Sequence, residues 1–258
     1  MATQFSRQAT AFPPAETIDI DIGTVHVWSL SVASFLDQVP VLGPLLSPSE
    51  RARASRLRID VARDAFVVRR GLLRVILGRY LDRAPDELDF QYGDYGKPWV
   101  SHRNGDASLT FNLSVSHGLV LYAVTRDREI GVDVERVRDG LPHVGLANRF
   151  FAAAEREELR RLPADAVIRG FFNGWTRKEA YVKAIGTGLV TRLDSFAVSL
   201  TPGAPARLDA PAPAGGGRWT LTSLDAFAGY AAALVVAGDC ERIVHRAWPA
   251  SDALGWSV

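Results

Sequence analysis

Hydrophobic positions recur along the chain with two periods, one typical of helices and one typical of strands. From Val61 to Leu81 apolar residues recur every three or four positions, whereas residues 130–137 alternate strictly between apolar and polar. The pattern predicts helices over residues 48–58, 61–81 and 171–185, and strands over residues 18–31, 88–92, 109–125, 130–137, 195–200 and 229–236. The region 109–125 is a strand pair, or one strand interrupted near Ser116. This mixture predicts the α+β class.

The order of the predicted elements repeats along the chain. Each half carries a long helix, a strand directly after it and a later apolar strand, so that residues 88–92 correspond to residues 195–200. We therefore expect two similar α/β halves related by pseudo-twofold symmetry, with domains over residues 1–127 and 128–258. Residues 202–217 are rich in Pro, Gly and Ala and predict a surface loop.

Charge and cysteine content narrow the class of protein. The net charge is +1, which does not favour nucleic acid or an anionic membrane as a partner. The single cysteine, Cys240, cannot form an internal disulfide. No apolar run is long enough for a secretory or membrane-spanning segment. We expect a soluble protein of the cytoplasm.

Lysine is rare in a chain that otherwise uses arginine. Of the 30 basic residues, only Lys97, Lys178 and Lys183 are lysine. A lysine that persists in such a background suggests a site that needs a compact ammonium and not a planar guanidinium.

Two groups of acidic residues are candidates for metal ligands. Asp133 and Glu135 are two residues apart on a predicted strand and therefore share a face, although a solvent-exposed acidic edge gives the same pattern. Trp175, Glu179 and Lys183 follow one helix face at intervals of four, which is also the pattern of an ordinary exposed Glu–Lys pair. Together, three carboxylates with open positions suit Mg²⁺ bound to a diphosphate.

The first half supplies candidate cations for phosphate groups. Arg63, Arg70 and Arg74 fall on one stripe of the long predicted helix, with Arg53 upstream. Surface solvation is the alternative role for such arginines.

Two further motifs of the first half carry polar residues in unusual positions. Lys97 lies in a turn between Gly96 and Pro98, where an exposed lysine is often without function. Ser116 and His117 interrupt a strand, where they can bond a phosphate or serve a structural role. A Ser–His catalytic pair is disfavoured because no nucleophile elbow accompanies it.

These motifs occur in a diagnostic order: GKP, FNLSVSHG, GVDVE, RFFAAAE and WTRKEAYVK. In that order they resemble the surfactin-type 4′-phosphopantetheinyl transferase superfamily, from about Arg53 to Leu200. The resemblance implies the fold of that family, a monomer whose two halves mimic a dimer, with coenzyme A bound between them. Residues 138–150 of this chain are expected to contact the carrier protein.

The resemblance also implies roles for individual residues. Asp133, Glu135 and Glu179 correspond to the ligands of Mg²⁺, which Mn²⁺ can replace. Glu179, Lys183 and Asp133 correspond to the catalytic residues, with Glu179 as the base, directly or through water, and Lys183 on the diphosphate. The residues expected to contact coenzyme A are Arg53, Arg70, Lys97, Pro98, Ser116, His117 and Lys183. The family pattern FN-[LIV]-SHS differs from FNLSVSHG, which shifts the position of His117.

The implied reaction transfers 4′-phosphopantetheine from coenzyme A to a serine of an acyl or peptidyl carrier protein, converting the apo form to the holo form and releasing 3′,5′-ADP. Fatty-acid, polyketide and nonribosomal peptide carriers are all compatible partners. Two alternatives are a metal-dependent phosphodiesterase or nuclease, and a module that binds coenzyme A or a carrier protein without turnover.

Overall fold

The structure is a computed structural model, and it describes residues 17–101, 108–224 and 227–247. The helices are α1 Val39–Leu42, α2 Pro48–Ser55, α3 Asp60–Leu81, α4 His143–Phe150, α5 Ala153–Arg161 and α6 Val167–Ile185. The strands are β1 Thr24–Ser31, β2 Phe90–Tyr92, β3 Pro98–Val100, β4 Leu109–Ser116, β5 Leu119–Arg126, β6 Ile130–Arg136, β7 Ala197–Val198, β8 Leu208–Asp209, β9 Trp219–Ser223, β10 Tyr230–Ala237 and β11 Arg242–Ala247. The predicted α+β class is confirmed.

The longer strands form two sheets, one in each half. The first has the order β11-β1-β5-β4 and the second the order β6-β10-β9, while β2-β3 and β7-β8 are two-stranded hairpins. In each sheet the first strand of its half, β1 or β6, pairs antiparallel with the last long strand, β5 or β10. The element order thus repeats, as the sequence predicted, and the strand pairing repeats with it.

One strand departs from this repeat. β11 pairs with β1 in parallel, from Thr24 opposite Arg242 to Ser29 opposite Ala247. A strand from the end of the described chain therefore completes the sheet of the first half. The domain boundary near residue 127 stays a prediction.

The helix α3 supplies the centre of the first core. Val68, Leu72 and Ile76 recur at intervals of four and are fully buried. The helix ends at Leu81, because Asp82 adopts a left-handed conformation and donates its backbone N–H to Gly78 O. The sequence pattern located this helix to within one residue.

The helix α6 occupies the equivalent place in the second half. It begins at Val167, four residues before the predicted start. Gly170 and Gly174 weaken the helical pattern, yet a β-carbon at Gly170 would lie 2.3 Å from Leu162 Cδ1. Close packing against Leu162, the residue that directly follows α5, therefore explains the glycine at this position of the helix.

Two other predictions need correction. The strand predicted from residue 18 begins at Thr24, because Gly23 makes a turn with a φ of 93°. Residues 202–217 contain the strand β8, which pairs with β7, so the segment is not only a loop. No helix in the described ranges is long and apolar enough to cross a membrane.

Candidate active site

Gly131 determines how closely α6 approaches β6. A β-carbon at Gly131 would lie 2.0 Å from Ala180 O and 2.4 Å from Ala184 N, so only glycine fits. Since alternate residues of a strand share a face, Asp133 and Glu135 lie on the side of α6. The intervening valines are buried in the core. The predicted acidic pair therefore faces a helix and is not a solvent-exposed edge.

Asp133 lies at the centre of the contacts between β6 and α6. Lys183 Nζ donates to Asp133 Oδ1 at 2.7 Å, and Ser114 Oγ donates to the same oxygen at 2.8 Å. Asp133 Oδ2 is buried and has no hydrogen-bond partner within the described residues. Burial raises the pKa of Asp133, and the charge of Lys183 opposes that rise.

Glu135 lies on the same face of β6 as Asp133 but is closer to solvent. Ser116 Oγ donates to Glu135 Oε2 at 2.8 Å, and Arg138 Nη1 approaches the same oxygen to 3.9 Å. His117 follows in the turn before β5 with a φ of 46°, and its Nδ1 lies 3.2 Å from Ser116 Oγ. The predicted Ser116–His117 segment thus lies beside Glu135.

Glu179 lies one helical turn before Lys183 on α6. Burial raises the pKa of Glu179; Asp133 and Glu135 raise it further, and Lys183 lowers it. Because Glu179 and Lys183 share a face of α6 and Lys183 contacts Asp133, Glu179 lies on the side of the helix that faces this acid.

Within residues 17–101, 108–224 and 227–247, no three acidic, histidine or cysteine side chains converge closely enough to form a complete metal site. The donor set nevertheless suits a hard cation, because all three groups are carboxylates. The unpartnered Asp133 Oδ2 also fits a cation, since an unsatisfied buried acceptor costs about 1–3 kcal/mol.

Polar side chains, and not a backbone ladder, join the two halves at the seam between β4 and β6. Every second residue of β6 directs its backbone N–H towards β4, and three of these groups donate to side chains of every second residue of β4. Val132 N donates to Asn112 Oδ1 at 3.0 Å, Val134 N to Ser114 Oγ at 3.3 Å, and Arg136 N to Ser116 Oγ at 3.1 Å. The edge of β6 is therefore satisfied by side chains that also reach its carboxylates.

Two lysines satisfy the carbonyls of the same edge. Lys183 Nζ lies 3.3 Å from Val132 O, and Lys97 Nζ donates to Ile130 O at 3.1 Å and to Ala184 O at 2.7 Å. Burial lowers the pKa of Lys97 to about 8. The ammonium of Lys97 is thus engaged with backbone carbonyls of the second half.

A groove leads from an arginine cluster to Lys183. Its first cavity, of about 420 Å³, is lined by residues that include Arg53, Arg56, Arg69, Arg70, Tyr92 and Pro98. A second cavity, of about 180 Å³, is lined by residues that include Lys97 and Lys183. The two cavities share Gly96, Pro98 and Leu113. Five of the predicted coenzyme-contacting residues therefore line the two adjoining cavities of this groove.

Not every arginine of the predicted stripe reaches this groove. Arg74 is buried and donates to Glu50 Oε2 at 2.7 Å, and also to two backbone carbonyls, so its role is structural. Arg63 pairs instead with Asp60 and Asp64 on the surface. From the stripe only Arg70 lines the cavity, where it is ion-paired with Glu50.

Glu50 was not singled out from the sequence, although it pairs with Arg70 and Arg74 beside the first cavity of the groove. Burial raises its pKa, but the hydrogen bond from Arg74 and the charge of Arg70 bring the pKa of Glu50 below its ordinary value. Its carboxylate also accepts from Ser47 N at 2.8 Å and closes the capping box of α2. The Ser-x-x-Glu spacing was the available sequence signal.

Comparisons with known proteins identify the family of the chain. A family model described as the 4′-phosphopantetheinyl transferase superfamily matches residues 129–235. The chain is 39% identical over 231 residues to the 4′-phosphopantetheinyl transferase HetI of Nostoc sp. PCC 7120, a match that covers 90% of this chain and 95% of HetI. The chain belongs to the 4′-phosphopantetheinyl transferase superfamily.

Other superfamily members match over smaller spans. The transferase psf-1 of Bacillus pumilus is 32% identical over 67% of this chain and 72% of its own. Sfp of Bacillus subtilis strain 168 is 28% identical over 60% of this chain and 66% of its own. The solved holo-[acyl-carrier-protein] synthase of Thermotoga maritima superposes on 43% of this chain and 63% of its own, at 24% identity and a TM-score of 0.35.

Membership of the superfamily decides between the functions considered from sequence. This transferase moves 4′-phosphopantetheine from coenzyme A to a carrier protein. Neither a phosphodiesterase nor a binding module without turnover is supported by the relatives.

Proposed function

We propose that this transferase binds coenzyme A along the groove, with the 3′-phosphate at Arg53 and Arg70 and the diphosphate at Lys183. The observation that carries the proposal is that the two cavities of the groove adjoin and share Gly96 and Pro98 in their lining. A ligand with two separated anionic groups suits a groove with cations at both ends. Lys97 would form part of the wall, because its ammonium is engaged with backbone carbonyls.

Asp133, Glu135 and Glu179 are the proposed ligands of Mg²⁺, with Mn²⁺ as an alternative ion. The support is that Asp133 and Glu135 lie on the side of β6 that faces α6, that Glu179 shares a helix face with Lys183, and that Asp133 Oδ2 has no partner within the described residues. When bound, the ion neutralises negative charge on the diphosphate. The burial of Asp133 strengthens this interaction, because water screens it less there.

The side chains of this chain then provide positioning and proton transfer. Glu179 accepts the proton of the carrier serine as its oxygen attacks the phosphorus on the pantetheine side. The bond from that phosphorus to the bridging oxygen breaks, and 3′,5′-ADP leaves with the electron pair. Lys183 lies beside Asp133 at the end of the groove, where its charge stabilises the departing phosphate.

The carrier protein is proposed to dock beside residues 138–150, next to the acidic site. This segment includes α4, where Val144 is 55% exposed. Fatty-acid, polyketide and peptide-synthetase carriers are the candidate partners. The enzyme is proposed to act as a monomer in the cytoplasm.

The test is intact-mass spectrometry of an apo carrier protein after incubation with enzyme, coenzyme A and Mg²⁺, with EDTA as the control. Asp133→Asn and Glu179→Gln are expected to lower the rate of mass gain at least about 100-fold with an unchanged fold by circular dichroism. Glu157→Gln, on the exposed surface of α5, is the matched control and should retain the wild-type rate. Wild-type turnover in either active-site variant would contradict the assignment.

A further inference from the structure

The serines of β4 repeat with the same spacing as the acids of β6. Ser114 and Ser116 are two residues apart, as are Asp133 and Glu135, and each serine bonds one acid. Both serine–carboxylate distances are 2.8 Å. Each serine also accepts the backbone N–H that follows its acid, from Val134 or Arg136. The same three-part contact thus occurs twice along the seam.

The contacts of Ser114 leave only one acceptor towards which its hydroxyl proton can point. A serine hydroxyl has one donor and two acceptor positions. Val134 N, at 3.3 Å, and Lys183 Nζ, at 3.0 Å, are donors and occupy both acceptor positions. The proton must therefore point to Asp133 Oδ1, which also receives Lys183. With Oδ1 held twice, the carboxylate is oriented and only Asp133 Oδ2 is left without a partner.

Ser116 is constrained in a similar way at the second acid. Arg136 N donates to Ser116 Oγ at 3.1 Å, and the shorter contact of the hydroxyl, at 2.8 Å, is with Glu135 Oε2. His117 Nδ1 lies farther away, at 3.2 Å. Ser116 is 6% exposed, so its hydroxyl is committed to the seam.

We propose that Ser114 and Ser116 are positioning residues that orient Asp133 and Glu135 for the cation of the transfer reaction. This inference rests on the proposed function, which makes those acids the metal ligands. It gives Ser116 a different role from the coenzyme contact implied by the sequence resemblance.

The experiment measures Mn²⁺ affinity, by electron paramagnetic resonance of free Mn²⁺, in the presence of coenzyme A and without a carrier protein, so that no turnover occurs. Ser114→Ala and Ser116→Ala are each expected to weaken Mn²⁺ binding by about 10-fold to 100-fold, the usual effect of losing a group that orients a metal ligand. Ser114→Thr and Ser116→Thr retain the hydroxyl and are expected to recover most of the affinity.

A buried hydroxyl elsewhere controls for a general loss of stability. Thr125 Oγ1 is buried and donates to Thr24 O at 2.9 Å, away from the acids. Thr125→Val is expected to lower the unfolding temperature as much as the serine variants and to keep wild-type Mn²⁺ affinity. Coenzyme A binding in EDTA, measured by calorimetry, is expected to be unchanged in both alanine variants.

The outcomes separate the two proposals. If Asp133→Asn binds Mn²⁺ as tightly as the wild type, the assignment of the metal ligands fails. If Asp133→Asn loses Mn²⁺ but the alanine variants do not, the positioning role is wrong and the proposed function stands. If Ser116→Ala weakens coenzyme A binding in EDTA and leaves Mn²⁺ affinity intact, Ser116 contacts the coenzyme instead.

Discussion

All three lysines of the chain direct their ammonium groups to buried oxygen atoms. Lys97 bonds two carbonyls, and Lys183 bonds a carboxylate and a hydroxyl. Lys178 is fully buried and contacts Glu155 at 2.7 Å as well as two carbonyls. The few lysines of this chain therefore lie where a compact ammonium group contacts several hydrogen-bond acceptors.

Lys178→Arg is expected to lower the free energy of unfolding by about 1–3 kcal/mol, since a guanidinium overfills a site packed around an ammonium. Urea titration followed by circular dichroism measures the change. The reverse exchange at the surface, Arg160→Lys, is the control and should stay within about 0.5 kcal/mol. Equal stability of the two variants would refute the packing argument.

Residues of the site were predictable where one element fixes their spacing. Asp133 and Glu135 share a strand face, and Glu179 and Lys183 share a helix face, by backbone geometry alone. Ser114 was missed because its importance arises from contacts across the seam, which no local period encodes. Arg74 was predicted as a phosphate contact because helical spacing does not reveal that Glu50 neutralises it.

At the scale of elements, the site depends on α6 lying directly against β6. Asp133 reaches Lys183 only because the helix backbone passes over Gly131 at contact distance. Aromatic packing fixes the other end of the helix, where Phe171 stacks on Phe151 and on Trp175. The helix face that carries the chemistry is therefore held at both ends.

Gly131→Ala is expected to cost about 4 kcal/mol or more of unfolding free energy, because the new methyl group would overlap the backbone of α6. Differential scanning calorimetry tests this. Gly43→Ala is the control: its backbone is helical and its β-carbon would meet only Val67 Cγ1 at 4.0 Å. That variant should stay within about 1 kcal/mol of the wild type. A stable, active Gly131→Ala would show that the helix can move away from the strand.

Periodicity located the elements better than their ends. The long helix α3 and the strands β5 and β6 have strong patterns and were placed to within about two residues. The starts of β1 and α6 were displaced because glycines there serve a turn and a close contact, respectively. The pairing of β11 with β1 had no signal in the sequence, since nothing local specifies a partner more than 200 residues away.

At the scale of the whole molecule, the element order and the antiparallel pairing of the first half recur in the second half. We expect a monomer of 28.1 kDa, measured by size-exclusion chromatography with light scattering in the presence and absence of coenzyme A. The physical reason is that β4 and β6, the strands that meet between the halves, are already joined by the hydrogen bonds of the seam. A concentration-dependent dimer at micromolar concentration would contradict this expectation.

A buried histidine makes the stability of the fold depend on pH. Burial, together with Arg246 and Arg242, lowers the pKa of His26 to about 4, while Tyr80 Oη lies 2.6 Å from its Nδ1. Between pH 4 and 6.5 the unfolded chain binds a proton that the folded chain does not, so stability rises with pH over that window. The full effect is on the order of 3 kcal/mol.

His26→Gln is expected to flatten the pH dependence of the unfolding free energy between pH 4 and 6.5, because an amide does not titrate. Urea titrations at several pH values measure the slope. His245→Gln, at an exposed position of β11, is the control and should keep the wild-type slope. An unchanged slope in His26→Gln would assign the dependence to other groups.

The parallel pairing of β11 with β1 has a consequence for how the protein is made. During translation β1, β4 and β5 leave the ribosome early. The sheet that they form lacks its edge strand β11 until residue 247 has emerged. The nascent first half therefore presents an unpaired strand throughout synthesis of the second half. The last strand of the described chain, β11, therefore closes the sheet that the first half began.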